Sequence, residues 1–274
     1  MGVDARGLTF EVRTGGPADG EPVLLLHGFP QNSGEWDDVL PVLHAAGLRT
    51  YALDQRGYSP GARPAAVEAY RVPELVADAA GVLDALGVPD AHVVGHDWGA
   101  VVAWGLAAVH PERVRTLTAV SVPHPAAMAH ALATDPRQKA RSAYIALFRK
   151  PGKAEKALLA WNATALRRML GGVGDAARVA RYADPMREPG ALTAALNWYR
   201  AMSGADLKAV GAVGVPTTFV WSDRDAAIGR TVAEACAAHV TGDYRFVELA
   251  GVTHWIPDEA PAPLAEAILA RIAR

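Results

Sequence analysis

Apolar positions along the chain follow two rhythms. Short apolar stretches recur at residues 22–27, 50–54, 91–95, 116–120, 217–221 and 244–249. Several are unbroken, as suits strands covered on both faces. Between them lie longer stretches whose apolar residues return every three or four positions: 33–46, 72–86, 98–110, 230–239 and 262–272. This alternation predicts an α/β fold, a mostly parallel sheet flanked by helices. Residues 8–13 add an antiparallel strand at the N-terminus. The rhythm stops between Pro123 and about Val213. Helical patterns at 138–148, 154–170, 176–182 and 190–202 fill that interval, broken at Pro151-Gly152, Gly171-Gly172 and Pro189-Gly190. The expected organisation is a core of residues 1–122 and 214–274 with a helical cap, residues 123–213, inserted between two core strands.

Composition narrows the classes. The 274 residues are 51% hydrophobic, enough for a sizeable core, and the formal net charge of −2 gives no basic excess for nucleic acid. No apolar run reaches the ~18 residues of a membrane-spanning helix. The first ten residues lack a secretory apolar region, so a cytoplasmic protein is expected. The chain starts Met-Gly, but Arg6 stands where myristoylation would want Ser or Thr. The lone cysteine, Cys236, excludes an internal disulfide framework and reads as a small buried hydrophobe. Oligomeric state is left open, a homodimer included.

Candidate chemistry begins at Gly95-His96-Asp97-Trp98-Gly99. A strand meets a helix here with almost no loop. Gly95 and Gly99 relieve the crowding of a turn that lifts the middle side chain above the carboxyl ends of the strands. An aspartate at a helix start is also a common cap. Two further features favour chemistry. His27-Gly28-Phe29-Pro30 ends an earlier strand, where a second backbone N–H can meet developing negative charge. His254 follows the last strand. The order nucleophile, acid, histidine is that of α/β-hydrolases. The acid belongs after the penultimate strand, where Asp225 is preferred and Asp223 is the runner-up.

A carboxylate nucleophile differs from a serine in what it can attack. A serine attacking saturated carbon would end as an ether. A carboxylate gives an alkyl ester, which water activated by His254 can cleave at the aspartate's own carbonyl. Asp97 therefore points to an epoxide or a haloalkane, with the N–H groups of Phe29 and Trp98 as the oxyanion hole for the second step. A halide leaves unaided by acid, whereas an epoxide oxygen needs a proton. Tyrosine remains protonated at neutral pH, and the helical insertion carries Tyr144, Tyr182 and Tyr199.

Over nearly its whole length the chain resembles soluble epoxide hydrolases of the α/β-hydrolase fold. The resemblance rests on His27-Gly-Phe-Pro30, Asp54-Gln-Arg-Gly-Tyr58, Gly95-His-Asp-Trp-Gly-Ala100, Ser142-Ala-Tyr144 with Phe148, Leu196-Asn-Trp-Tyr199-Arg200 and Thr253-His254-Trp255. It implies Asp97 as nucleophile, Asp225 as acid, His254 as base, and Tyr144 and Tyr199 as the phenols that hold and protonate the epoxide oxygen. It also implies a cis bond before Pro30, no metal or organic cofactor, and a small-molecule epoxide and water as the partners. Gln55 and Ser222 depart from the usual pattern without touching a catalytic group. Two other readings stay open: a haloalkane dehalogenase using the same aspartate, and a non-catalytic binder on this scaffold. Phe29 stands where dehalogenases usually carry asparagine. A plain esterase is disfavoured because no Gly-x-Ser-x-Gly occurs.

Other residues read more plainly. Arg56 is expected to pair with a carboxylate, Trp255 to pack, and His96 to be structural or to bond within the elbow. Phe148, Trp161, Met169, Met186 and Met202 are expected to hold the cap together or to line its underside. Arg167, Arg168, Arg178 and Arg181 read as solvated charges.

Overall fold

Val23, Leu24, Leu25 and Leu26 are all fully buried, yet they serve two different cores. Successive side chains of a strand point to opposite faces. Leu24 and Leu26 join one apolar cluster and Val23 and Leu25 the other. A run apolar at every position therefore fits a strand in the middle of a two-faced sheet. Full burial of each such leucine contributes about 1.5–3 kcal/mol.

The computed structural model describes residues 1–273. Its eight strands are β1 (Gly2–Ala5), β2 (Leu8–Gly15), β3 (Glu21–Leu26), β4 (Leu48–Asp54), β5 (Ala91–His96), β6 (Val114–Val120), β7 (Thr217–Ser222) and β8 (Tyr244–Leu249). They form one sheet in the order β1-β2-β4-β3-β5-β6-β7-β8. β2 pairs antiparallel with β1 and β4, and all other pairs are parallel. Helices α1 (Leu40–Ala45), α2 (Val72–Ala85) and α3 (Trp98–Val109) alternate with the strands. Seven helices separate β6 from β7: α4 (Pro125–Thr134), α5 (Pro136–Arg141), α6 (Ile145–Phe148), α7 (Lys153–Met169), α8 (Ala176–Ala183), α9 (Ala191–Ala201) and α10 (Gly204–Ala209). The chain closes with α11 (Arg230–Glu234), α12 (Ile256–Glu259) and α13 (Pro261–Ile272). Helices α2 and α3 cover the face holding Leu24 and Leu26, and α1 and α13 cover the other. Among the described residues, no helix is long and apolar enough to cross a membrane.

The parallel strands and the N-terminal antiparallel strand lie where the apolar pattern puts them, and several helices differ in detail. Residues 33–46 are not one helix. A 3-10 turn covers Ser33–Trp36, and α1 starts only at Leu40, with Pro41 in its first turn. Proline is accommodated at a helix start and not in its middle. The expected helix 138–148 splits into α5 and α6, leaving Tyr144 at the junction. α7 is interrupted where Trp161, Asn162 and Ala163 adopt positive φ. That interruption leaves Trp161 88% exposed, so it neither packs nor lines a pocket. β1, α4, α10 and α12 have no counterpart among the expected elements.

The topology fixes where a ligand can bind. The chain passes from β3 outward to β4, then back past β3 to β5. Connections thus leave in opposite directions on either side of the β3–β5 pair. The crevice at such a switch point, outside the carboxyl ends of the strands, is where open α/β sheets hold ligands.

Candidate active site

The register of β3 and β5 sets Leu26 beside Gly95. The residues that follow each strand, His27–Pro30 and Asp97, therefore face one another. Asp97 has φ 50° and ψ −117°, a conformation a side-chain-bearing residue adopts only under constraint. The constraint is visible in the glycines. A Cβ on Gly95 would strike the Gly99 carbonyl, and a Cβ on Gly99 would strike that of Leu26. One on Gly28 would strike the Asp97 side chain itself. These glycines are required by close backbone approach, and together they hold Asp97 upright above the sheet.

The loop after β3 is fixed by His27. Its Nε2 accepts from the Gln55 N–H at 3.1 Å and its Nδ1–H donates to the Gly28 carbonyl at 3.0 Å. Burial depresses its pKa and keeps it neutral, as this pattern of one acceptor and one donor requires. The Phe29–Pro30 bond is cis, as expected. The Phe29 N–H donates to Asp97 Oδ1 at 2.9 Å. Trp98 is the first residue of α3, so its N–H has no acceptor within the helix. Among the described residues, no hydrogen bond joins that N–H to Asp97.

His254 lies between two carboxylates. Its Nδ1 meets Asp225 Oδ2 at 2.7 Å, and its Nε2 meets Asp97 Oδ2 at 3.3 Å. Asp225 Oδ1 accepts from the N–H groups of Ala227 and Ile228 at 2.7 and 2.9 Å. Asp223 is exposed and accepts instead from the Gly251 N–H at 2.7 Å. Burial alone would disfavour the imidazolium, but the two carboxylates outweigh it and raise His254 to about 10. Burial would likewise raise Asp97, but the hydrogen bond and charge of His254 outweigh it and hold the carboxyl below its ordinary range. The resting site is therefore an ion pair with Asp97 ionised.

The inserted helices supply the facing wall. Tyr199, on α9, is buried, and Tyr144 at the α5–α6 junction is 37% exposed. Their ring centroids lie 6.3 Å apart, and Tyr199 also packs edge-on against Phe29, Phe148 and Trp98. Burial pushes both phenols well above their ordinary pKa, and the nearby Asp97 charge adds to this. Both remain protonated across the physiological range. Tyr182 is directed elsewhere, donating to Asp258 at 2.8 Å.

Two clefts meet at Asp97, of about 560 Å³ and about 860 Å³ including their open parts. Asp97, Tyr144, Tyr199 and Ala227 line both. Met202 lines the smaller and Met169 the larger. Phe148 and Met186 are buried.

Some partners of the site were not foreseen in the sequence. Buried His96 donates from Nε2 to the His254 carbonyl at 3.0 Å, and its Nδ1 lies 3.2 Å from Glu35 Oε2. Burial lowers His96 to about 4, so it is neutral and its Nδ1 is an acceptor. Glu35 must then supply the proton, consistent with burial raising its pKa well above the ordinary value. Gln138 and Arg141 of α5 bond the loop carrying Asp225. Arg141 donates to the Asp225 carbonyl at 2.8 Å and Gln138 to that of Ala227 at 2.7 Å. Arg56 does pair with a carboxylate, as expected, in a buried two-point ion pair with Asp78 at 2.5 and 2.7 Å. Arg178 and Arg181 are not merely solvated charges: they pair with Asp38 and Asp37 across the boundary between the inserted helices and the sheet. Nothing in the polar stretch 31–38 set Glu35 apart in the sequence.

Residues 21–261 match the family described as alpha/beta hydrolase fold. The chain belongs to this family. Within it, the chain is 35% identical to AB hydrolase superfamily protein YfhM of Bacillus subtilis and 34% identical to Epoxide hydrolase A of Mycobacterium tuberculosis. Each alignment covers 97% of this chain and 95% of the relative. Among solved structures, a variant of an epoxide hydrolase from Bacillus megaterium, complexed with its product (R)-3-[1]naphthyloxy-propane-1,2-diol, superposes with a TM-score of 0.90 at 26% identity, covering 100% of both chains. Epoxide hydrolase A from Mycobacterium thermoresistibile gives 0.87 at 28% identity, covering 100% of this chain and 97% of that one.

Proposed function

We propose that the protein is an epoxide hydrolase that converts an epoxide to a vicinal diol through an ester on Asp97. The observation that carries this reading is the opposition of one ionised carboxylate and two protonated phenols across a single cleft, with His254 and Asp225 behind the carboxylate. The names of the relatives and of the solved neighbours support the same substrate class. Residues 123–213 act as the cap that brings the phenols over a core of residues 1–122 and 214–274.

In the first step an Asp97 oxygen attacks one ring carbon, and the C–O bond to the epoxide oxygen breaks. Tyr144 and Tyr199 bind that oxygen, and one passes it a proton. Concentrating donors where charge develops is the main source of acceleration. The phenolate recovers its proton from the His254 imidazolium. Alkylation has by then removed the Asp97 charge that helped keep His254 protonated, so the imidazole is released as a base. In the second step His254 takes a proton from water as the oxygen adds to the ester carbonyl. The Phe29 and Trp98 N–H groups serve the resulting oxyanion. Collapse expels the diol oxygen, which takes the remaining proton, and the ion pair is restored. Asp225 holds the imidazole tautomer and orientation.

Two measurements test this. Diol formation from an aryl glycidyl ether, lost in Asp97→Ala, separates the enzyme from a binder; halide release from chloroalkanes with no diol from epoxides would favour the dehalogenase. In His254→Gln the ester is expected to persist, seen as a mass increase equal to the epoxide on the peptide containing Asp97. An unmodified peptide after turnover would remove the covalent route.

A further inference from the structure

The two clefts at Asp97 differ in chemistry. The smaller is walled by Val101, Val122, Met128, Ile145, Leu207 and Ile228. The larger contains two guanidinium groups, Arg168 from the end of α7 and Arg224 from the loop after β7. Neither has an ion pair or a side-chain hydrogen bond among the described residues, and both are exposed. Their neighbours differ. Arg167 pairs with Asp184, Arg178 with Asp38, Arg181 with Asp37 and Arg230 with Glu248. Among the described residues lining the larger cleft Asp97 is the one carboxylate, held by His254 and Phe29, and Glu259 just behind Gly172 is engaged by Thr253. Two cations from separate elements thus line one cleft, unneutralised, beside the reacting carboxylate.

We infer that Arg168 and Arg224 select epoxides bearing a carboxylate, with the ring at Asp97, an apolar substituent in the smaller cleft and the anionic end in the larger. This rests on the epoxide-opening reading above and names its substrate class. Guanidinium matches carboxylate in geometry and charge. Because both arginines are solvated, the gain is modest and screened by salt. It acts mainly on capture, through steering of an anion into the cleft.

The test compares 4-(oxiran-2-ylmethoxy)benzoate with its neutral carboxamide, a pair alike in shape and in the reacting ring. The expected ratio of kcat/KM, acid over amide, is roughly tenfold at low ionic strength, the yield of two exposed ion pairs. The difference should lie in KM rather than kcat and shrink as salt is raised. Arg168→Gln with Arg224→Gln should bring the ratio close to one, while Arg168→Lys with Arg224→Lys keeps part of it and its salt dependence. A ratio near one in the native protein, or one that survives the double Gln variant, overturns the inference. Diol from both probes at equal rates leaves the epoxide reading standing and sinks this inference alone; diol from neither sinks both.

Discussion

Asp97 carries two duties that conflict. As the proposed nucleophile it must be ionised, and as a neighbour its charge holds a proton on the histidine proposed to act later as base. The distances resolve the conflict in time. His254 Nε2 faces Asp97 at 3.3 Å and Nδ1 faces Asp225 at 2.7 Å, so esterification of Asp97 removes one of two stabilising charges and leaves the other. Asp97→Asn mimics that neutral state without substrate. The His254 pKa, raised to about 10 in the native protein, is expected to fall in this variant. Titration of the imidazole followed by NMR measures it; an unchanged value would show that Asp97 does not set the protonation of His254.

The elbow between β5 and α3 makes a sharper statement at the scale of elements. Two glycines of α3 meet different obstacles. A Cβ at Gly99 would collide with the backbone carbonyl of Leu26, which cannot move without disturbing β3. A Cβ at Gly105 would meet a γ-methyl of Val76, a β-branched side chain held in one rotamer on α2, so relief there takes a small shift of one helix against another and leaves the strands in place. Gly99→Ala is therefore expected to cost at least the ~1–3 kcal/mol of ordinary overpacking. Gly105→Ala should cost less, partly offset by the ~1 kcal/mol better helix propensity of alanine. Denaturant unfolding of the two variants compares them directly. Equal losses would mean the elbow is less constrained than its contacts indicate. This elbow was legible because its cause is local: two glycines, a strand before and a helix after. His254 was legible through its place after the last strand. Glu35, Gln138 and Arg141 were not, because each acquires its meaning from a partner that only the fold brings near. His96 lies 61 residues from Glu35, and Ala227 lies 89 from Gln138. The split of 138–148 was hidden too, since both halves share one helical pattern and the break follows from docking onto the Asp225 loop.

Across the whole molecule, buried carboxyls shape the response to pH. Burial raises Asp258 from 3.8 to about 7 and raises Glu35 as well. In the unfolded chain such a group loses its proton near pH 4, whereas in the fold Asp258 keeps it to about 7. Between these values the unfolded state binds fewer protons, so stability falls as pH rises. His254 extends the decline: its contribution is complete below 6.5 and is lost as pH rises through about 10. Carboxyls lowered by arginine partners, such as Glu155 beside Arg200, act in the opposite sense and only at more acidic pH. Buried histidines act against Asp258 in the same window: burial holds His27, His96 and His124 neutral below their ordinary range, so the unfolded chain takes up protons there that the fold does not. Asp258→Asn removes the opposing carboxyl contribution, and its melting temperature at pH 5 is expected to fall relative to that at pH 7 by more than in the native protein. Calorimetry at both values checks this, and parallel profiles for the two proteins would exclude Asp258 as a source.

The bonds from Gln138 and Arg141 to the Asp225 loop also bear on engineering. Exchanging residues 123–213 for the corresponding segment of a relative is an obvious route to a new substrate range. Such a chimera would import foreign side chains at the two places that brace Asp225, the proposed acid. A graft that carries over the glutamine and the arginine keeps that support, and one that drops them alters the proposed catalytic machinery along with the binding surface.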